Sequence, residues 1–436
     1  MASIIRTEKN SDKRFFKEDL QATNLKPTVH IDDSVTYQSI LGFGGAFTES
    51  SAYNLSRINK EQREKAIQAY FDPKEGLGYT IGRVSIHSCD FSLNSYTYIQ
   101  EGDKDLKTFN ISRDEELVIP LIKDAQRYSG PIQLLASPWS PPAFMKDNNS
   151  MIKGGKLLPE YYQSWANYYV RFIEAYRKHN LSMWGVTIQN EPAANQRWDS
   201  CVYTGEEERD FIKNYLGPTF VNSSAKDVNI LIWDHNRDIM VERAKVVLED
   251  KEAAKYVWGT GFHWYVSEAF ENVGKVHELF PDKGLLFTEG CQEEGVHWDS
   301  FKTGERYARN MIGDFNNFCE GYIDWNLFLD NTGGPNHVNN LCDAPIIVDI
   351  FPEKLVFQSS YYYIGHFSKY IRPEAKRVKV EQDNKNLQMT AFKNVDGSIA
   401  LVILNETDQS EDVVVSYHNK TYAVTLDNHS IITILL

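Results

Sequence analysis

From residue 40 to about 330 the chain alternates between two patterns. Short apolar runs are separated by stretches in which apolar residues recur every three or four positions. The runs lie at 40–49, 78–86, 132–137, 184–192, 229–234, 257–265, 284–290 and 322–327, and each is bounded by turn residues. Helical periodicity fills the gaps, at 60–71, 112–128, 162–176, 239–248 and 305–318. The clearest helix carries Tyr162, Trp165, Tyr169, Phe172 and Tyr176, whose spacing of three and four residues makes one apolar face. Ser56 or Asn59 caps the helix that starts at Lys60. Eight strands alternating with helices predict an α/β chain, a (β/α)8 barrel, with a doubly wound open sheet as the main rival at the level of pattern.

The pattern changes near residue 372. Short strands at 377–380, 387–392, 399–404, 412–417 and 431–436 follow one another, with turns at Asp383-Asn384, Asp396-Gly397 and Asn405-Glu406. This predicts a small side β-sandwich. Residues 1–40 show only β-type runs, at Ile4-Ile5, Phe15-Phe16 and Val29-His30-Ile31, and these have no other partner than the C-terminal strands. The expected organisation is therefore 1–40 as N-terminal strands of the sandwich, 41–371 as the barrel, and 372–436 as the C-terminal sandwich strands.

Two of the barrel strands run apolar until they stop on a carboxylate: Trp184 to Glu191, and Gly284 to Glu289. A charge at the end of a core strand is costly to bury. One such residue reads as a paired core charge. Two on one barrel, where the C-terminal strand ends carry the chemistry, read as a carboxylate pair for acid/base and nucleophilic work on a glycosidic bond. Asp90, Trp139, Tyr265 and Trp325 fall at the same kind of position. Taken alone, Asp90 reads as a loop charge or helix cap, and His263, one of 11 histidines, as a satisfied core residue.

Composition narrows the partners. The formal net charge of −14 argues against nucleic acid and anionic membrane surfaces. The 24 Tyr, 23 Phe and 9 Trp suit either a filled core or a sugar-lined cleft. The five cysteines lie in no CxxC spacing, so no disulfide framework and no metal site is expected; Cys89 and Cys291 read as buried free thiols. There is no HExxH, GxSxG or P-loop. Gly42-Phe43-Gly44-Gly45 approaches a dinucleotide loop, but Phe47 stands where the third glycine belongs, so no cofactor is expected. The chain has no transmembrane run. It turns charged within nine residues of Met1, which predicts a cytoplasmic protein if that start is native.

At this point the motifs become familiar. Gly42 to Glu49, Ser88-Cys89-Asp90-Phe91-Ser92, Ala136-Ser137-Pro138-Trp139, Asn190-Glu191-Pro192, His263-Trp264-Tyr265, Asp324-Trp325-Asn326 and Gly333-Gly334-Pro335-Asn336 occur in this order from about residue 40 to 372. Together they resemble glycoside hydrolase family 30. The resemblance implies a retaining β-glycosidase, most simply an exo-acting β-glucosidase of glucosylceramidase type, acting on a β-glycoside or glycolipid. Glu191 would be the acid/base and Glu289 the nucleophile. Asp90, Trp139, Asn190, Trp325 and Asn336 would bind the glycone, with His263 and Tyr265 close by. Glu191 is expected to have its pKa raised by the nearby carboxylate. Endo-β-1,6-glucanase, β-xylosidase or β-fucosidase action on the same scaffold is the alternative, and a non-catalytic sugar-binding protein the remote one. His337, and the loop 292–300, depart from the family pattern on the leaving-group side.

Overall fold

The structure is a computed structural model and describes residues 2–436. Eight parallel strands close into a barrel: β1 (Gly42–Ala46), β2 (Ile81–Ile86), β3 (Gln133–Pro138), β4 (Met183–Thr187), β5 (Asn229–Asn236), β6 (Val257–His263), β7 (Gly284–Glu289) and β8 (Gly321–Asn326). The last strand pairs with the first, Gly321 opposite Gly42, so the open-sheet rival is excluded. Several strands are shorter than the apolar runs that announced them. The run through Glu191 leaves the ladder at Thr187, and the last four residues rise above the barrel rim.

Inside the barrel, side chains two residues apart on one strand point the same way and lie in successive layers. Ile81, Leu135, Leu231, Leu286 and Ile323 form one apolar cluster, closed from below by Leu41, Trp184 and Trp258. One step further along the strands stand Arg83, Ser137, Thr187 and Thr288, all buried. The alternation thus sets a polar layer directly under the C-terminal rim. Close strand contact depends on glycine: a Cβ on Gly259 would lie 2.0 Å from the carbonyl oxygen of Gly284.

The helix Tyr162–Lys178 behaves as its spacing requires: Trp165, Tyr169, Phe172 and Tyr176 are fully buried. Tyr169 also donates to the carbonyl of Ile188 at 2.6 Å, tying this helix to the segment that carries Glu191. The helix expected at 112–128 is broken into Ser112–Glu116 and Val118–Ser129. Pro120 explains the break, because its ring and missing N–H disrupt the turn before it. The cap before Lys60 is Asn59, whose side chain accepts from the backbone of Gln62.

Ten further strands form a sheet curled on itself beside the barrel, and Phe328–Asp330, Ile346–Asp349 and Lys354–Phe357 make a separate three-stranded sheet. Ser3–Glu8 pairs antiparallel with Ser430–Leu435, and Val29–Ser39 lies between Lys376–Gln382 and Glu411–Tyr417. Both chain ends therefore enter one sheet, as their lack of other partners implied. Lys420–Leu426 is a further strand that the sequence pattern did not separate from its neighbour. Ile399–Asn405 is buried on both faces: Ile399, Leu401 and Ile403 face the interior of the curled sheet, while Ala400, Val402 and Leu404 join the core shared with the barrel. His366 bridges the two parts, with its ring nitrogens 2.9 Å from Thr7 Oγ1 and 2.8 Å from Thr433 Oγ1. Among the described residues no helix is long and apolar enough to cross a membrane.

Candidate active site

Glu289 is the last residue of β7, and Glu191 stands above β4. The Glu191 segment is laced to both neighbouring strands. Asn190 N donates to Pro138 O at 2.8 Å, and Glu191 N to Asp234 O at 3.0 Å. Glu191 has φ of 51°, and Asp234, opposite it, 57°. Left-handed backbone is unfavourable for such residues and is found where the surroundings enforce it, often at functional sites. The result is close approach: one carboxylate oxygen of Glu191, one of Glu289 and a ring nitrogen of His263 lie within 4.8 Å of one another. That is the short separation of a retaining pair, with no room for the water an inverting enzyme places between its carboxyls.

The two carboxyl groups are held differently. Glu289 receives Arg83 Nη1 at 2.5 Å on one oxygen and Tyr265 Oη at 2.9 Å on the other. Glu191 has looser neighbours: Gln196 Nε2 at 3.3 Å, His263 Nδ1 at 3.4 Å and His235 Nε2 at 3.8 Å. Below them Arg83 is fully buried and spends its guanidinium on four acceptors: Glu289, Asp234 at 2.8 Å, Asn190 Oδ1 at 2.9 Å and Ser137 Oγ at 3.0 Å. It also lies 4.9 Å from the ring of Trp139, which stacks on Trp325 at 5.2 Å. Asp234 accepts four bonds, from Arg83, Thr187, Thr288 and His263 Nε2, the last at 3.0 Å.

This network sets the charges. Burial pushes Glu289 above the usual carboxylate range, against the pull of His263 and Arg83. Burial also acts on Glu191, but the hydrogen bond from His263 and the nearby His235 outweigh it and hold that carboxyl at about 2. For His263, burial is overcome by Glu289, Asp234 and Glu191, which raise the ring to about 9. The direction expected for Glu191 is therefore reversed in the free protein: its carboxyl is lowered, because the pull of His263 and His235 outweighs burial.

Above the pair is a cavity of about 210 Å³. Asp90, Trp139, Tyr265 and Trp325, the residues placed at strand ends, line it with the two glutamates, and so does Asn190, which the resemblance alone had pointed to. Burial, then the charge of Glu289, raises Asp90 to about 8, so near neutral pH it is an uncharged acid that both donates and accepts. Its Oδ2 accepts from Asn340 Nδ2 at 2.9 Å, while Oδ1 is buried with no partner among the described residues. Two expected binding residues stand elsewhere. Asn336 turns its amide into its own loop, donating to Asn340 O and accepting from the backbone of Val338 and Asn340, and Asn340 lines the cavity instead. His263 is wholly buried beneath the cavity, touching Glu191 and not lining the space.

Sequence reasoning missed Arg83, Asp234, His235, Asn236, Gln196, Trp198, Glu293 and Asn340. Two of these carried a signal: Arg83 interrupts an apolar strand, and Asp234 ends one, as the two glutamates do. His235 and Asn236 close β5 beyond its apolar run, and Gln196, Trp198, Glu293 and Asn340 sit on loops, where no periodicity points to the cavity. All five cysteines are buried and unpaired, and Cys291 and Cys342 line the cavity wall.

A closed barrel with two carboxylates at retaining distance over a sugar-sized cavity is the site of a glycoside hydrolase. The chain matches the glycosyl hydrolase family 30 TIM-barrel domain over residues 40–371 and the glycosyl hydrolase family 30 beta sandwich domain over residues 374–434. It belongs to glycoside hydrolase family 30, as its motifs implied. Lysosomal acid glucosylceramidase of Mus musculus is 39% identical over 397 residues, covering 86% of this chain and 76% of the mouse protein. Among solved structures, SrfJ from Salmonella typhimurium superposes with a TM-score of 0.95 at 35% identity, covering 100% and 99% of the two chains. The endo-β1,6-glucanase BT3312 gives a TM-score of 0.92 at 28% identity, covering 100% and 98%. The protein is thus a retaining glycosidase.

Proposed function

We propose that this glycosidase is an exo-acting β-glucosidase of glucosylceramidase type. Glu289 is the nucleophile and Glu191 the acid/base. The observation that carries these roles is the difference in their hydrogen bonds. Glu289 is clamped on both oxygens by Arg83 and Tyr265, which fixes its line of attack on C1. Glu191 is held loosely and borders the cavity, as a group that must pass a proton out and back requires. Glu289 displaces the leaving oxygen while Glu191 protonates it. Water activated by Glu191 then releases the sugar with retention. Asn190, fixed by Arg83, faces the cavity beside Glu191, where it meets the 2-hydroxyl.

Exo action is supported by the size of the cavity, below the ~300–1,000 Å³ usual for larger ligands, and by Asp90 and Asn340 closing its glycone end. The free Oδ1 of Asp90 takes a sugar hydroxyl of the 4- or 6-position. A glycolipid leaving group is supported by Trp198, which lines the cavity and, like Val296, packs against the apolar cluster around Trp139 and Trp325, and by the likeness to the mouse glucosylceramidase. The likeness to BT3312 supports a second reading, endo-β-1,6-glucanase.

The deciding experiment measures kcat/KM on aryl β-glucoside, β-xyloside and β-fucoside and analyses products from a β-1,6-glucan. A xyloside lacks the 6-hydroxymethyl group and leaves a buried acceptor unpaired, at a cost of ~1–3 kcal/mol, or about 5- to 150-fold. Equal rates on the xyloside, or internal cuts in the glucan faster than aryl glucoside turnover, overturn the glucosidase reading.

A further inference from the structure

His263 lies between two carboxylates. Its Nε2 is 3.0 Å from Asp234 Oδ1 and its Nδ1 is 3.4 Å from Glu191 Oε1. A neutral imidazole has one N–H, whereas two carboxylate partners call for a donor on each nitrogen. The ring is wholly buried, so water does not supply a substitute partner. Asp234 is itself saturated with donors and fully buried, which makes it a fixed anion. The Asp234 side is the shorter contact, and the Glu191 side is the longer one, next to the cavity.

We propose that His263 is a positioning residue that stores the proton Glu191 uses on the leaving group, with Asp234 keeping the opposite ring nitrogen protonated. This rests on the assignment of Glu191 as acid/base. A glycoside entering the cavity expels the water that solvates Glu191. Desolvation favours a neutral pair over an ion pair. The proton then leaves Nδ1, the N–H bonding electrons stay on the ring, and a new O–H bond forms on Glu191 Oε1. An imidazolium and a carboxylate become an imidazole and a carboxylic acid, with no change in net charge. Glu191 gives this proton to the glycosidic oxygen as the bond to C1 breaks and Glu289 bonds to C1. When water attacks C1, the C1–Glu289 bond breaks with its electrons returning to the Glu289 carboxylate, and the water's proton passes to Glu191 and back to His263. The arrangement divides labour as a Ser-His-Asp triad does, with the aspartate fixing the tautomer of the ring.

The other ionisable groups around the ring are accounted for. Glu289 from β7 and Asp234 from β5 favour the imidazolium, and His235, with its ring 6.2 Å away, opposes it. Tyr265 stands edge-on at 6.0 Å, and Arg83 approaches only through Asp234 and Glu289.

The test compares octyl β-glucoside, whose leaving group needs a proton, with 2,4-dinitrophenyl β-glucoside, whose leaving group does not. The pH profile of kcat/KM is recorded for the full chain and its variants. In the wild type the alkaline limb on octyl glucoside reports the shared proton of the His263–Glu191 pair. His263→Asn is expected to move that limb to lower pH by about one unit or more and to lower the rate above pH 7 by ~10- to 100-fold. The dinitrophenyl glucoside, which also shows that the variant is folded, is expected to stay within about tenfold. Asp234→Asn keeps the ring and an acceptor for Nε2 but removes the negative charge that favours the imidazolium, and moves the same limb in the same direction. An unmoved limb in His263→Asn, or equal losses on both substrates, overturns the proposal. Failure of the underlying assignment looks different: Glu191→Gln would then keep the wild-type ratio between the two glucosides.

Discussion

The mouth of the barrel and the interior of the curled sheet both bury most of their side chains, yet they are built on opposite principles. The sheet interior is apolar throughout, with Ile4, Val29, Val378, Leu401, Ile403, Val415 and Ile432 in contact. Its contribution scales with area removed from water, at about 25 cal/mol per Å². The barrel mouth buries Arg83, Asp234, His263, Glu289 and Asp90 within a few ångströms. Such charges are tolerated only because nearly every polar atom has a partner, and a hydrophobic replacement of similar volume is often no less stable. The sheet interior is thus indifferent to which atom sits where, provided the volume is filled. The mouth depends on individual atoms and holds its geometry at a cost in stability.

The largest expected effects come from breaking the mouth. Glu289→Gln is expected to lower kcat by ~10⁴-fold or more on every glycoside, because the covalent intermediate no longer forms. Glu191→Ala is expected to lose ~10²- to 10⁴-fold on poor leaving groups and much less on dinitrophenyl glycosides. Azide restores turnover of the Glu191 variant by replacing the activated water. Rescue of the Glu289 variant alone, with an inverted product, would show that the roles are exchanged. Glu289→Gln also removes a counter-charge of the buried Arg83 guanidinium and is expected to lower the thermal midpoint, whereas Glu191→Ala, whose carboxylate makes only long contacts, is expected to leave it nearly unchanged.

The sheet interior should respond in the opposite sense. Ile403→Ala leaves a cavity in a packed core and is expected to cost ~2–5 kcal/mol of stability. Urea unfolding measures the loss, and kcat per folded molecule, taken well below the transition, should be unchanged. A fall in kcat of more than about threefold without unfolding would show that the sheet shapes the site, which no contact here requires.

A pH-dependent effect sharpens the contrast on the barrel itself. Asp324 on β8 is buried and accepts from Tyr307 Oη. Burial, opposed by that hydrogen bond, raises it to about 8. In the unfolded chain it titrates near ~3.9. Between these values the native state holds a proton that the unfolded chain has released. Its contribution is therefore fully favourable below about pH 4 and is lost as pH rises toward 8. Relative to the wild type, Asp324→Asn is expected to become more favourable by about 5 kcal/mol between pH 4 and pH 8. An equal difference from the wild type at both pH values would mean that the carboxyl is not protonated in the fold.

Much of this molecule was legible along the chain, and the parts that were share a cause. Strands and helices are local: apolar runs and the three-and-four spacing of Trp165, Tyr169, Phe172 and Tyr176 are fixed by backbone periodicity alone. Strand ends are local too, so Glu191, Glu289, Asp90, Trp139, Tyr265 and Trp325 were found from the point where an apolar run stops. The tertiary structure decided the rest. Asn340 replaces Asn336 because a loop can point any of its residues inward, and nothing periodic distinguishes them. Arg83 and Asp234 become the floor of the site only when β2 and β5 face each other across a closed barrel. The ionisation of Glu191 and His263 likewise depends on groups from β4, β5, β6 and β7 meeting at one end of the barrel. Electrostatic coupling depends on distance through space, which the order of residues along the chain does not contain.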